Sequence, residues 1–165
     1  MSPMGSVVAM SASPELKARL HADLTTAMKA RDELTTATLR MALTAVSTEE
    51  VAGKRARELG DDEVLRVLAR EAKKRREAAE AFDAAGRGEL AERERAEGAV
   101  LDRYLPRQLD DAELAALVQA AIADAGARGP QQLGAVMKLV QPQVGGRADG
   151  GRVSAEVRRQ LTPPP

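Results

Sequence analysis

The sequence has 165 residues, of which 44% are hydrophobic but only 1% aromatic, so its core must be built from aliphatic side chains. The 25 basic and 25 acidic residues balance, which excludes a protein drawn to nucleic acid by overall charge and requires any electrostatic partner to meet a local patch. Without cysteine the chain forms neither a disulfide nor a thiolate zinc site, and we expect a cytoplasmic protein.

The chain begins with a stretch that predicts no regular structure. Residues 1–13 lack the basic start and the long apolar region of a signal peptide, so we expect a disordered leader and no membrane partner. Ser13-Pro14-Glu15 then combines a cap residue, a proline at the first helical position and an early acid, which predicts a helix start. Apolar residues at helical spacing predict a first helix from there and a second from about Leu34 to about Val51.

Two further helices complete a predicted N-terminal subdomain, residues 14–105. The third opens at Asp61 with acids suited to its positive end and closes at Gly86. Its predicted buried stripe is Leu65, Leu68, Ala72, Ala79 and Phe82. The fourth runs from about Glu89 to Arg103 and alternates acids with arginines that can pair three or four residues apart.

The predicted boundary between two subdomains lies at Tyr104-Leu105-Pro106, because proline disfavours helix at the residue before it. The C-terminal subdomain, residues 106–162, carries three predicted helices: from Asp110 to Gly126, from Gln131 to about Gln141, and from Arg152 to Leu161. No segment alternates apolar and polar residues in the way that predicts a strand. The predicted fold is therefore all-α, a long-helix N-terminal subdomain followed by a compact three-helix C-terminal subdomain.

The densest run of conformationally special residues is the stretch from Gln141 to Arg152, in which two glycine pairs flank Arg147-Ala148-Asp149. Glycine allows close approach, and the arginine fork suits phosphate. Three interpretations stay open: a tight turn with Asp149 capping the last helix and Arg147 bonding helix-end carbonyls, a contact to a phosphate backbone, or a small-nucleotide site. The stretch lacks the Walker lysine, and no strand precedes it as a dinucleotide fingerprint requires.

Other polar residues predict no catalytic site, no metal site and no cofactor. His21 is the only histidine and is interpreted as a surface residue. The third helix sets Arg66, Arg70, Lys73 and Lys74 opposite its apolar stripe, but nearby glutamates favour a mixed-charge surface over a phosphate-facing patch. With Phe82 and Tyr104 as the only aromatics, base stacking is not expected.

Several motifs in order resemble the YqeY-like family. They are Leu39-Arg40-Met41, Asp62-Glu63-Val64-Leu65, Lys73-Lys74-Arg75-Arg76-Glu77, Phe82 with Ala85-Gly86-Arg87, Tyr104-Leu105-Pro106-Arg107-Gln108-Leu109, Gly134-Ala135-Val136-Met137-Lys138 and Gly146-Arg147-Ala148-Asp149-Gly150. The resemblance covers about Leu16 to Leu161. The family is in turn similar to the helical tail domain of the B subunit of the glutamine-dependent aspartyl/glutamyl-tRNA amidotransferase.

The resemblance implies an all-helical fold in two subdomains and a non-catalytic tRNA-binding or tRNA-amidotransferase-like accessory role. A family label of carbon–nitrogen ligase with glutamine as amide donor would then attach to a chain without catalytic residues, and no small-molecule substrate is expected. The expected RNA-binding residues are Lys138, Gly145, Gly146, Arg147, Gly150, Gly151, Arg152 and Arg159. Gly145 and Gly151 stand where many relatives carry lysine, and Arg152 and Arg159 would replace that charge in part. The alternative is a helical protein–protein adaptor that binds no RNA.

Overall fold

The structure is a computed structural model that describes residues 15–163, and every regular element within them is helical, which confirms the predicted all-α class. The α-helices are α1 (Glu15–Lys29), α2 (Glu33–Glu50), α3 (Asp61–Ala84), α4 (Gly88–Asp102), α5 (Asp111–Ala125), α6 (Leu133–Val144) and α7 (Gly150–Leu161), with a 3₁₀ turn (Pro130–Gln132) before α6. The predicted leader and the predicted cap at Ser13 lie outside the described residues. None of the described helices is long and apolar enough to cross a membrane.

The chain divides between Leu105 and Pro106 into two compact units. In the N-terminal unit α3 and α4 form a hairpin, and both α1 and α2 pack against it. Its core is aliphatic, with Leu20, Leu39 and Leu68 fully buried. Tyr104, at the end of α4, is the one aromatic residue in the buried part of this core.

The C-terminal unit packs α5, α6 and α7 against one another. Valine dominates its core, where the fully buried residues are Val118, Val136, Val140, Val153 and Val157. Val153, Val157 and Leu161 recur every four residues along α7 and bury one side of that helix. The opposite side of α7 therefore faces solvent.

Aspartate side chains cap three of the helices: α7 through Asp149, and α2 and α5 as follows. The Asp32 carboxylate accepts the Thr35 N–H at 3.0 Å at the start of α2, and this hydrogen bond holds the pKa of Asp32 below its ordinary value. Asp110 accepts the Glu113 N–H at 2.7 Å at the start of α5. Both bonds satisfy amide groups that the helix itself leaves without a partner.

The structure corrects several helix bounds in the C-terminal unit. α6 runs through Pro142 to Val144, beyond the predicted end at Gln141, and α7 begins at Gly150 and not at Arg152. Pro142 is tolerated because it is exposed in the last turn of α6, where water can serve the carbonyl that loses its partner. The start of α7 follows from its cap, Asp149, so the second glycine pair belongs to the helix.

Candidate nucleic-acid interface

The predicted site is a tight turn between α6 and α7, residues 145–149. Gly145 and Gly146 have φ of 54° and 79°, the left-handed conformation that favours glycine. Gly145 thereby ends α6, and its N–H donates to the Gln141 carbonyl. The first glycine pair thus reverses the direction of the chain. These glycines are needed for the turn whether or not they also contact a ligand.

Arg147 turns its side chain onto the end of α6. Its Nε donates to the Val144 carbonyl at 3.1 Å and its Nη2 donates to the Gln143 carbonyl at 2.7 Å. Its own carbonyl accepts the Leu109 N–H at 2.8 Å, which ties the turn to the segment before α5. A cation on the last carbonyls of a helix also complements the negative end of the helix dipole. This arrangement matches the interpretation of the stretch as a tight interhelical turn.

Asp149 caps α7 as that interpretation requires, because its Oδ1 accepts the Arg152 N–H at 3.0 Å. Gly150 and Gly151 follow as the first two residues of the helix, and both are exposed. A Cβ on Gly151 would meet the Asp149 carboxylate at 3.2 Å, so a small residue there lets the cap close. The second glycine pair therefore differs from the first, because it begins a helix and does not reverse the direction of the chain.

Arg152 and Arg159 are seven residues apart on α7, opposite its buried valines, and each meets a carboxylate. Arg152 Nη2 lies 2.8 Å from Asp111 Oδ1, whose side chain is 99% exposed. Arg159 donates from Nε and Nη2 to both oxygens of Glu156 at 2.9 and 2.6 Å. These bonds, with one from Gln160, hold the pKa of Glu156 below its ordinary value.

Lys138 lies on α6 and is exposed, and it forms no ion pair within residues 15–163. The structure thus brings Gly145, Gly146 and Arg147 together in one turn, and Gly150 and Gly151 begin the helix that follows. It places Arg152 and Arg159 on one face of the helix that follows. Lys138 belongs to the helix before the turn.

Three of the four basic residues predicted on the outer side of α3 are matched by acids, in line with a mixed-charge surface. Arg70 lies 3.3 Å from Glu49, and Lys74 lies 3.3 Å from Glu71. Lys73 is 4.0 Å from Glu77. The helix therefore offers no uninterrupted cationic stripe of the kind that follows a phosphate backbone.

Arg75 is a residue whose environment the sequence prediction missed. It is buried, with Nη1 3.1 Å from Glu71 and Nε 3.2 Å from Glu97, while both carboxylates are themselves largely covered. A signal existed in the spacing, because positions 68, 72, 75 and 79 form one helical stripe and the other three are apolar. A charge inside such a stripe predicts a buried ion pair.

The tyrosine side chain is not free for stacking on bases. Tyr104 is buried, and its hydroxyl donates to Asp23 Oδ2 at 2.5 Å. The Arg19 guanidinium lies over the ring, 4.8 Å from its centroid. Burial first, and then the bond to Asp23, raise the pKa of the tyrosine well above its ordinary value.

A model of the YqeY-like protein family matches residues 17–161 of the chain. Among curated proteins, an uncharacterized protein of Schizosaccharomyces pombe is 37% identical over 97 residues, which cover 58% of this chain and 76% of the yeast protein. The family match spans both units, including the turn before α7.

Proposed function

The chain belongs to the YqeY-like protein family, and from this membership we propose that it is a non-catalytic tRNA-binding accessory protein. The role would resemble that of the tail domain of the B subunit of the tRNA amidotransferase, and it places the protein in the cytoplasm. Its C-terminal unit would hold tRNA through phosphates. No amide-transfer chemistry is proposed for the chain alone.

A local excess of positive charge in an otherwise neutral chain carries the proposal. From Lys138 to Arg159 five residues are basic and two are acidic, whereas the whole chain is balanced. The two acids are also engaged: Asp149 accepts an amide at the start of α7, and Glu156 is held by Arg159 and Gln160. A patch of this sign raises the local concentration of a polyanion.

The ion pairs of this surface do not prevent phosphate binding. An exposed pair contributes only about 0–1 kcal/mol, so a phosphate can replace Asp111 beside Arg152 at little cost. Arg147 uses only part of its donor set on the α6 carbonyls. The exposed residues Gly150 and Gly151 form the positive N-terminal end of α7, where an anion is favoured.

The expected mode of recognition is by shape and phosphates. Tyr104 is buried and its hydroxyl is hydrogen-bonded to Asp23, so it presents no face to a base. Double-stranded RNA is contacted largely through its backbone and 2′-hydroxyls. We therefore expect affinity for the folded tRNA body with little dependence on sequence.

Fluorescence anisotropy of labelled total tRNA, titrated with protein at low and moderate salt, tests the proposal. The double variant Arg152→Gln/Arg159→Gln should weaken binding and flatten the plot of log K against log salt by roughly 1–2, since each lost phosphate contact removes a little under one from the slope. Arg158→Gln is the matched control, because it removes the same charge from another side of α7. Absent or salt-insensitive binding would contradict the proposal.

A second candidate is an adaptor that docks on proteins and not on RNA. It is favoured by large apolar side chains that stay exposed in the N-terminal unit, with Val51 66% and Met28 49% exposed. Affinity capture with and without nuclease distinguishes the two functions. Partners that survive nuclease support the adaptor, whereas partners that nuclease removes support the tRNA-binding function.

A further inference from the structure

The outward side of α2 is an uncharged helix face in a chain of which 30% is charged. Its residues recur at alternating spacings of four and three, and all are exposed: Ala37, Met41, Thr44, Thr48 and Val51. The buried residues of α2, which include Leu39, Ala42 and Val46, lie on the opposite side. An apolar stripe at this spacing is what two packed helices share. Met41 is contacted by Arg75 Nη2 at 2.7 Å and still leaves 37% of its surface exposed.

The threonines of this face are already satisfied. Thr44 Oγ1 donates to the Arg40 carbonyl and Thr48 Oγ1 donates to the Thr44 carbonyl, each at 2.9 Å. Burying these threonines would therefore leave no hydroxyl without a hydrogen-bond partner, and their methyl groups would add to the buried apolar surface. A groove of about 390 Å³ along the same side is lined by Leu43, Thr44, Ser47, Thr48 and Val51.

Glu49 and Glu50, at the C-terminal end of α2, are paired with Arg70 and Lys17. Apart from them, the charges near the two ends of the face differ in sign. Glu33 lies at its N-terminal end, and Lys54 with Arg55 follow its C-terminal end. None of these three forms an ion pair within residues 15–163. Thr44 stands midway in sequence between Glu33 and Arg55.

We infer that this face binds a second copy of the chain, with the two α2 helices antiparallel about a two-fold axis near Thr44. In that pairing the acidic end of each face lies beside the basic end of the other, while a parallel pairing would set like charges together. The small residues Ala37, Thr44 and Thr48 let the helix backbones approach closely. Because the face carries both signs of charge, it is complementary to itself, and the occupant we propose is a second copy of this chain.

The dimer is weak because the face is small. α2 has 18 residues and is about 27 Å long at about 1.5 Å per residue. One helix face of that length buries less than the roughly 1,200–2,000 Å² of a stable interface, so the dissociation constant should lie between about 10 µM and 1 mM.

Sedimentation velocity over a protein concentration series tests the inference. The wild-type chain should shift from monomer to dimer with concentration, and Thr44→Glu should raise the dissociation constant at least about tenfold, because it sets two like charges together at the axis. Thr25→Glu is the matched control: Thr25 is also exposed, and its hydroxyl also bonds the carbonyl four residues earlier, but it lies on α1. A monomer at every concentration, or equal effects of the two variants, overturns the inference.

Crosslinking gives a second, independent test. The chain has no cysteine, so Thr44→Cys introduces a single thiol at the axis and Thr25→Cys introduces one elsewhere. Mild oxidation should give a disulfide-linked dimer for Thr44→Cys at a rate at least about tenfold above that of Thr25→Cys. Equal rates would place the contact elsewhere and overturn the inference.

The role of the charged ends can be tested by swapping the charges at residues 33 and 55. Glu33→Arg and Arg55→Glu should each weaken the dimer, and the double variant should recover the wild-type dissociation constant to within about threefold. A double variant as weak as the two single changes combined would rule out the antiparallel pairing.

Discussion

Replacing Arg147 by alanine measures how firmly this side chain holds the end of α6. The change removes two hydrogen bonds, from Nε to the Val144 carbonyl and from Nη2 to the Gln143 carbonyl, and it leaves the backbone bonds of the turn in place. A bond from a charged donor contributes about 1.5–3 kcal/mol in a buried setting, but these carbonyls are partly exposed and water can replace the donor. We expect the C-terminal unit to lose about 1–2 kcal/mol.

Native-state hydrogen exchange measures this loss of stability at individual amides of the C-terminal unit. Amides of α6 should exchange roughly 5–30 times faster in Arg147→Ala, the factor that corresponds to 1–2 kcal/mol. Amides of α3, in the other unit, should not change. Arg158→Ala is the control, because it removes an exposed arginine of the same unit whose side chain makes no ion pair within residues 15–163. Exchange in α6 that stays within about twofold of wild type would refute the capping role of Arg147.

Three further changes test other parts of the structure. Glu50 accepts two bonds from Lys17 Nζ at 2.9 Å, which hold the pKa of Glu50 below its ordinary 4.5, so its contribution to stability is present above pH 4.5 and lost as the pH falls further. Glu50→Gln should cost about 1–2 kcal/mol at pH 7. In urea titrations over a range of pH, this variant should also lose less stability in acid than the wild-type chain does. Arg75→Met should lower the free energy of unfolding by about 3 kcal/mol, and adding Glu97→Gln should restore part of it, since a buried carboxylate without its partner is the main penalty. Asp149→Ala should cost about 1 kcal/mol and speed hydrogen exchange at the start of α7, because it removes the cap.

Much of the fold follows from local sequence signals. Helical spacing of leucine and valine, with acids at Asp61 and Asp110 and glycine at Gly126, predicts the all-α class and the approximate bounds of most helices. These signals are short-range, so each needs only its neighbours along the chain. The end of α6 near Pro142 and the start of α7 at Gly150 are harder to predict, because proline and glycine normally disfavour helix.

The candidate site was predictable only in part. The sequence marks the turn by its glycines, but it left open whether Arg147 points outward or onto helix carbonyls, because that depends on which acceptors the fold leaves unpaired. The pairing of Arg152 with Asp111 spans 41 residues and joins two helices, so no local pattern contains it. The environment of Arg75 likewise depends on carboxylates contributed by another helix, α4.

The most direct test of the central claim is a tRNA titration that compares the wild-type chain, Arg152→Gln/Arg159→Gln and Arg158→Gln at two salt concentrations. The proposal predicts salt-dependent binding that the double variant weakens by at least about tenfold and the control changes by less than about threefold. Wild-type binding that is absent at low salt, or that is equal in all three proteins, would contradict it.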